Sequence, residues 1–523
     1  MTFQAPTVEW AYLLPVIIVL GAGALGVLLE ALVPLRGRRP TQLALTAVTG
    51  LAALVALAAL WNDVAADGGT VVLGGSVIID GPALVLQAVV VVLGLLALMV
   101  VADRTTAGED AFAATSAAVP GSDYEALAVR RKLAQTEVYP LALFAIGGMM
   151  LFPAAGNLLM LFVAIEVLSL PLYILVGMAR RRRLLSQEAS LKYFLLGAYA
   201  SAFFLFGAAL LYGYAGSIRL VDIGVAASTS SDLDVLLIAG VLLVLVGVLF
   251  KISVVPFHAW TPDVYQGAPT AITGFMAACT KVAAVGALLR IVYVVIPPLA
   301  WDIMPVLWTI AALTMIVGTA IAIVQSDVKR MLAYSSIAHA GFVLVGVVAL
   351  NQDGIASVLF YLLAYGLATI GAFGVVALVR EADADGAVVA EASHLMQWAG
   401  LGRRHPALAL AFTLFLLSFA GIPLTAGFVG KFTVFSAAVA GDLPWLVVVG
   451  VLASAAAVFF YVRVIVLMFF TEAEGTPGES TVVEAGEGYT GVAVAIAAIG
   501  TVLLGVIPGP VLDALTEAAR FIP

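Results

Sequence analysis

A single cysteine, Cys279, occurs in 523 residues. The chain therefore has no intramolecular disulfide and no Cys-based zinc or iron–sulfur site, and Cys279 reads as a small apolar packing residue. Charge is also scarce: Asp, Glu, Lys and Arg make up 11% of the residues, against about a quarter in soluble globular domains. No glycine-rich phosphate loop follows a strand pattern. Gly21-Ala22-Gly23 and Gly147-Gly148 lie in apolar runs, where small residues let helices approach each other. The alternating pattern of a membrane β-barrel is absent. These absences leave no nucleotide site and no cysteine-held cofactor. Net charge −8 says little about partners in so apolar a chain, and no nucleic-acid partner is expected.

What fills the chain is apolar sequence. Hydrophobic residues make up 63% and the mean hydropathy is +1.14. Runs of about 20 apolar residues recur from end to end, each long enough to cross a hydrocarbon core. Backbone groups in lipid must be satisfied within the segment, so the runs are helices. Fourteen are expected: 10–34, 41–61, 80–102, 138–153, 157–179, 189–214, 234–258, 270–296, 302–325, 329–350, 355–380, 407–440, 444–470 and 489–508. The first lacks a basic leader and reads as a retained span.

Lys and Arg orient them. Arg36, Arg38 and Arg39 follow the first span, and Arg104, Arg130, Arg131 and Lys132 the third. Arg180 to Arg183 follow the fifth, Lys329 and Arg330 the ninth, and Arg380, Arg403 and Arg404 border the loop after the eleventh. With fourteen spans all of these fall on one side, the expected cytoplasmic side, together with the segments 103–137, 381–406 and 471–488. The other side has Arg219 and the tail residue Arg520. Both termini are then expected on the non-cytoplasmic side.

Some charges remain inside or near the spans: Glu166, Lys192, Lys251, Lys281, Arg290, Lys431 and Arg463. A charged side chain at mid-bilayer costs at least ~2.5 kcal/mol, so such residues mark an ion path or a structural pair. Desolvation favours the neutral amine of lysine and a nearby carboxylate favours the charged one. A buried lysine can thus exchange a proton where an arginine cannot. Glu166 and Lys192 are candidates for an ion pair whose strength changes with proton occupancy elsewhere. Arg290 and Arg463, nearer the span ends, are expected to snorkel. His258 and His339 are either hydrogen-bonded core residues or proton relays. His394 and His405 lie in a loop. The plain alternative for the whole set is static glue between helices.

Two spans are interrupted. Pro256 follows Lys251 in LFKISVVPFHAW, and Gly421, Pro423 and Gly427 precede Lys431 in LLSFAGIPLTAGFVGKF. Proline removes a backbone donor and breaks the helix, and paired broken helices point to a transport path. Pro256 and Pro423 are 167 positions apart, Glu166 and His339 173. An offset of about 170 maps spans 4–8 onto spans 9–13. Five spans per unit is an odd number, so the second unit is inverted. The expected divisions are 1–137, a three-helix segment with a loop; 138–296 and 297–470, the two repeats; and 471–523, a loop, the last helix and a tail.

The stretches VVPFHAWTPDVYQGAPT (254–270) and QSDVKRMLAYSSIAHAGF (325–342) resemble the hallmarks of the antiporter-like membrane subunits of respiratory complex I, the proton-pumping NADH-quinone oxidoreductase. The resemblance runs from residue 1 to about 510. Tyr265 to Thr270 after Pro262-Asp263, Lys431 where one paralogue usually has Glu, and a short tail after the last span point to one of its three paralogous subunits. The resemblance implies an all-α polytopic fold of fourteen helices with two inverted five-helix repeats, each with a broken helix. It implies that Glu166 and Lys192 form the charge pair of the input half and that Lys251 carries the proton of the first repeat. Lys281 connects the halves, Lys431 carries the proton of the second, and His339 lies on the polar axis between them. It further implies a bacterial plasma membrane and neighbouring membrane-arm subunits, other antiporter-like ones among them. FMN and iron–sulfur clusters belong to partner subunits, and no redox catalysis or NADH binding to this chain. The rival readings are a subunit of a cation/proton antiporter and a purely structural membrane subunit.

Overall fold

The computed structural model describes residues 8–105, 108–115, 119, 122–131, 133–229, 234–382, 388–472, 480–483 and 486–522. Lys132 lies outside them. Helices α1 (Trp10–Leu32), α2 (Leu35–Asp67) and α3 (Gly81–Ala102) form the N-terminal segment, with a hairpin of β1 (Gly69–Val72) and β2 (Val77–Asp80) between the last two. Asp80 caps α3 through the Ala83 N–H at 3.1 Å, a helix start that satisfies one of the orphan donors. The short α4 (Asp123–Arg130) lies in the loop that follows.

Five crossings come next: α5 (Val138–Leu151), α6 (Leu158–Val176), α7 (Arg183–Ala215), α9 (Asp234–Ile252) with the short α10 (Trp260–Gly267) after its break, and α11 (Thr270–Phe275) continuing through Met276–Thr280 into α12 (Lys281–Val294). The eight-residue α8 (Leu220–Ala227) lies between α7 and α9. Met276–Thr280 is a π-helical turn that ends at Lys281, a local widening that recurs at functional positions in helices. Five more crossings repeat the plan: α13 (Ala300–Ile323), α14 (Val328–Val347), α15 (Gln352–Leu378), the broken pair α17 (Pro406–Ala420) and α18 (Ala426–Ala440) preceded by the one-turn α16 (Leu401–Arg404), and α19 (Pro444–Phe470). The last crossing, α20 (Tyr489–Val506), leads to a short α21 (Gly509–Ala518).

Twelve of these helices are long and apolar enough to cross a membrane. With Val138–Leu151 and the broken pair α17–α18, the described residues make fourteen crossings. An odd number in each five-helix unit starts α5 and α13 on opposite faces, so the repeats are inverted. One face gathers the loops after α3, α6, α13, α15 and α19. There Phe112 bridges Ala179, Asp327 bridges His394, and β3 (Val379–Ala382) pairs with β4 (Val388–Glu391) and β5 (Ser480–Val483). This is the arginine-rich face of the sequence pattern. On the other face Val77 bridges Ala155 and Asn157 bridges Arg219. The small sheets have no counterpart in an all-helical expectation, because strands of four residues are too short to show a period.

Burial sorts the helices. The α11–α12 crossing, α14 and α15 are almost wholly enclosed, whereas α1, α2, α7, α19 and α20 show most of their surface outward. The enclosed helices carry Lys281, Ser335, Ser336, His339 and Tyr361. Gly147, Gly148 and Gly23 pack as expected, since a Cβ there would meet Leu20 Cδ2 at 2.3 Å, the Leu168 backbone at 2.5 Å and the Phe144 ring at 3.1 Å. Gly21 does not, with no other group near enough to touch a Cβ. Cys279 is fully buried.

Candidate functional site

Lys251 lies in the last turn of α9 and is 3% exposed. Its ammonium has no hydrogen-bond partner among the described residues. It stands over the rings of Tyr193, 4.9 Å from the centroid, and Tyr173, at 5.3 Å, where the ring faces attract a cation. The break beyond it runs through Ser253, at φ 69°, to the exposed Pro256. The Val255 N–H donates to Thr314 Oγ1 at 3.0 Å, and the Phe250 carbonyl accepts from Trp260 Nε1 at 3.0 Å. The freed backbone groups are therefore met by side chains, as irregular backbone at membrane depth requires.

The second break is built differently. Gly421, at φ 81°, ends α17 in the left-handed region that glycine enters without a Cβ penalty. Lys431, 5% exposed, turns back onto the freed end: Nζ donates to the carbonyls of Phe419 at 2.8 Å and Ala420 at 3.1 Å, and to Ser454 Oγ at 2.8 Å. The C-terminal end of a helix is the negative end of its dipole, so a cation is favoured there. The ammonium also lies 4.6 Å from the Phe342 ring centroid.

From Lys281 towards the second break runs a buried polar strip. Lys281 donates to the Ser336 carbonyl and to Ser336 Oγ, the latter at 2.7 Å. Ser335 and Tyr461 share a hydroxyl hydrogen bond of 2.5 Å. The Tyr461 hydroxyl lies 3.2 Å from His339 Nε2, and His339 Nδ1 lies 2.7 Å from the Tyr361 hydroxyl. A cavity of about 10 Å³ adjoins His339, Tyr365, Ser418 and Gly427, about the room one water needs. Nothing in the sequence pattern singles out Tyr361 or Ser454, whereas Ser335 and Ser336 lie within the quoted stretch 325–342 and Tyr461 is a phenol two residues before the intramembrane Arg463.

Three expectations need correction. Glu166 and Lys192 are not paired. Glu166 Oε1 accepts from Ser201 Oγ at 2.5 Å, nine residues along α7 from Lys192, or about 13 Å at helical rise. Lys192 instead meets Glu188 and Asp263, each at 2.7 Å. Second, Arg290 does not snorkel. It is fully buried in a two-pronged pair with Asp80, at 2.9 and 2.8 Å, and donates to the Pro153 carbonyl at 2.9 Å. The span ends there, yet loops and the tail close over it. Third, Lys329, placed among the loop cations by sequence, is 1% exposed and meets Glu391 at 3.1 Å and the Ala268 carbonyl at 2.7 Å. Arg463 reaches the Ile323 and Gln325 carbonyls at the end of α13. His258 is half-buried, its Nδ1 without a partner among the described residues. His394 caps a short 3₁₀ turn.

Inverted repeats, two broken helices and a buried line of lysines define an antiporter-like membrane protein. Residues 155–457 match the family described as NADH:quinone oxidoreductase/Mrp antiporter, TM. The chain is 61% identical to NADH-quinone oxidoreductase subunit N of Beutenbergia cavernae and 50% identical to that of Mycobacterium tuberculosis, with all of each chain covered. A chain in the structure of respiratory complex I from Thermus thermophilus with bound aureothin is 33% identical at a TM-score of 0.76, covering 96% of this chain and 100% of that one. A chain of the Mrp complex from Dietzia sp. shares the fold, at a TM-score of 0.81 and 22% identity, over 98% of this chain and 97% of that one. The chain belongs to this family, in its subunit N branch: it is an antiporter-like, proton-translocating membrane subunit of bacterial NADH-quinone oxidoreductase.

Proposed function

We propose that protons cross this subunit by way of Lys251, Lys281, His339 and Lys431, with Glu166 and Lys192 as the charges at the input side. The observation that carries this reading is the hydroxyl-lined strip from Lys281 through Ser336, Ser335, Tyr461 and His339 to the neighbourhood of Lys431. Hydroxyls and imidazole both donate and accept, so such a strip can pass a proton by rearranging its hydrogen bonds. An arrangement built only to glue helices has no need of amines stacked on rings without a carboxylate partner.

In this reading the arginine-rich face is cytoplasmic and both termini face the other side. Electron transfer takes place in partner subunits that hold FMN and iron–sulfur clusters, and its energy reaches this chain as a charge or conformational change from a neighbouring membrane-arm subunit. The protein acts in the bacterial plasma membrane. The divisions 1–137, 138–296, 297–470 and 471–523 are then a packing segment, two half-paths and a closing helix. The test is Lys251→Ala and Lys431→Ala in assembled complex in membrane vesicles. Proton uptake per NADH oxidised should fall in both. Full pumping by fully assembled variants would sink the relay.

A further inference from the structure

Asp263 lies on α10, the short helix beyond the first break, and touches one cation from each repeat. Its Oδ2 accepts from Lys192 Nζ of α7 and its Oδ1 from Arg330 Nη1 of α14, both at 2.7 Å. The other groups of this cluster are Glu188, 2.7 Å from Lys192; Gln266, whose Oε1 accepts from Arg330 at 3.1 Å; and Asp327, which accepts from Gln266 at 3.1 Å and caps α14 through the Arg330 N–H at 3.0 Å. Carboxylates that bind two cations at once fix the relative positions of the elements that carry them, because both hydrogen bonds are charge-assisted and directional.

What α10 positions is the surroundings of Lys251. Lys192 and Tyr193 are adjacent on α7, and Asp263 and Trp260 lie three apart on α10. The two helices therefore meet twice: by the Lys192–Asp263 pair and by Tyr193 stacked on Trp260, ring centroids 4.5 Å apart at 14°. The same Tyr193 ring lies beneath the Lys251 ammonium, and the same Trp260 indole holds the Phe250 carbonyl beside it. A shift of α10 against α7 cannot leave the rings around Lys251 unchanged.

We propose that Asp263 is a positioning residue of the proton path, holding Lys192 of the first repeat and Arg330 of the second and thereby setting the place of Tyr193 and Trp260 against Lys251. The inference rests on the proposed path through Lys251. It gives Lys192 a partner on the short helix beyond the first break, in place of the Glu166 carboxylate two turns or more away. Arg330 extends the same link to α14, the helix that carries Ser335, Ser336 and His339.

The test uses the whole complex in native membrane vesicles, with Asp263→Asn, Asp263→Glu, Lys192→Gln and the double variant Asp263→Asn/Lys192→Gln. Assembly, uncoupled NADH oxidation and proton uptake per NADH are each measured. The expected result for Asp263→Asn is normal assembly and oxidation with the same loss of proton uptake as Lys192→Gln. The double variant should lose no more than either single one, and Asp263→Glu should restore uptake. Full uptake by Asp263→Asn overturns the inference, as does an additive loss in the double variant. Failure of Asp263→Asn to assemble makes the carboxylate a structural group and overturns it too. Lys251→Ala in the same membranes separates the two readings: if that variant also pumps fully, it is the path through Lys251 that has failed.

Discussion

The Lys431 ammonium donates to the Phe419 carbonyl at 2.8 Å, an acceptor that is free only because α17 stops one residue later at Ala420. The cation and the break are thus one device: the break supplies acceptors at membrane depth, and the lysine satisfies them. Lys431→Met removes the exchangeable proton and takes the donor from the Phe419 carbonyl, while the Ala420 carbonyl keeps Ser454 Oγ at 3.3 Å. An orphaned buried acceptor costs about 1–3 kcal/mol. Proton uptake per NADH should fall and the complex should lose heat stability together, measured by uptake in vesicles and by survival of the assembled complex on heating. Unchanged heat stability would mean that the Phe419 carbonyl does not depend on the lysine.

Gly421 sets the geometry of that break. Its φ of 81° strains any side chain there, and a Cβ would lie 2.9 Å from Lys431 Cδ, so the lysine would have to shift. Gly421→Ala should cost about 1–2 kcal/mol for the left-handed backbone and push the ammonium off its carbonyls. The expected phenotype is impaired pumping with Lys431 still present. Pumping at the unsubstituted level would show that the lysine needs no fixed seat.

How far the sequence carried this picture follows from which signals are local. Spans, their alternation across the membrane and the two breaks were legible, because hydropathy, Lys/Arg bias and proline each act on a few neighbouring residues. So were Lys251, Lys281 and Lys431, conspicuous in apolar surroundings, whereas the equally buried Lys329 sits at a span end and reads as a loop cation. Their partners were not legible. Ser336, Ser335 and Tyr461 are ordinary residues until α14 and α19 bring them together. The pairing of Glu166 with Lys192 failed for a geometric reason: both are unusual charges on adjacent helices, yet depth along α7 separates them, and Asp263, read only as part of a motif, lies closer. Arg290 failed because the closing of β2 and the tail over a span end depends on contacts hundreds of residues apart.

That Arg290–Asp80 pair links α12 to the start of α3, with both side chains fully buried. Removing one partner strands a charge, at a cost of about 3–5 kcal/mol. Arg290→Met should therefore impair assembly while leaving the lysine line untouched. Asp80→Leu should be worse, since it also removes the α3 cap, about 1 kcal/mol. The double variant Asp80→Leu/Arg290→Met should regain much of the stability lost by either single change. The check is the yield and heat stability of assembled complex for all three. A double variant no better than the worse single one would show that the pair does more than neutralise itself.

Glu391 offers a pH test outside the membrane spans. Burial by itself pushes its carboxyl up, but the Lys329 ammonium at 3.1 Å and the Arg380 guanidinium at 3.5 Å outweigh it and bring the pKa down from 4.5 to about 2. A carboxyl depressed on folding stabilises the protein fully above its unfolded pKa, and that contribution fades as pH falls from 4.5 towards 2. Between pH 5 and 8 this group should therefore add no pH dependence to heat stability. Glu391→Gln strands Lys329, which is enclosed beneath it, and should cost about 3 kcal/mol throughout that window. The same substitution should flatten the loss of stability between pH 4.5 and 2, seen as a smaller difference between variant and unsubstituted complex as the pH is lowered. A gap that stays constant down to pH 2 would mean that Glu391 is not held by its two cations.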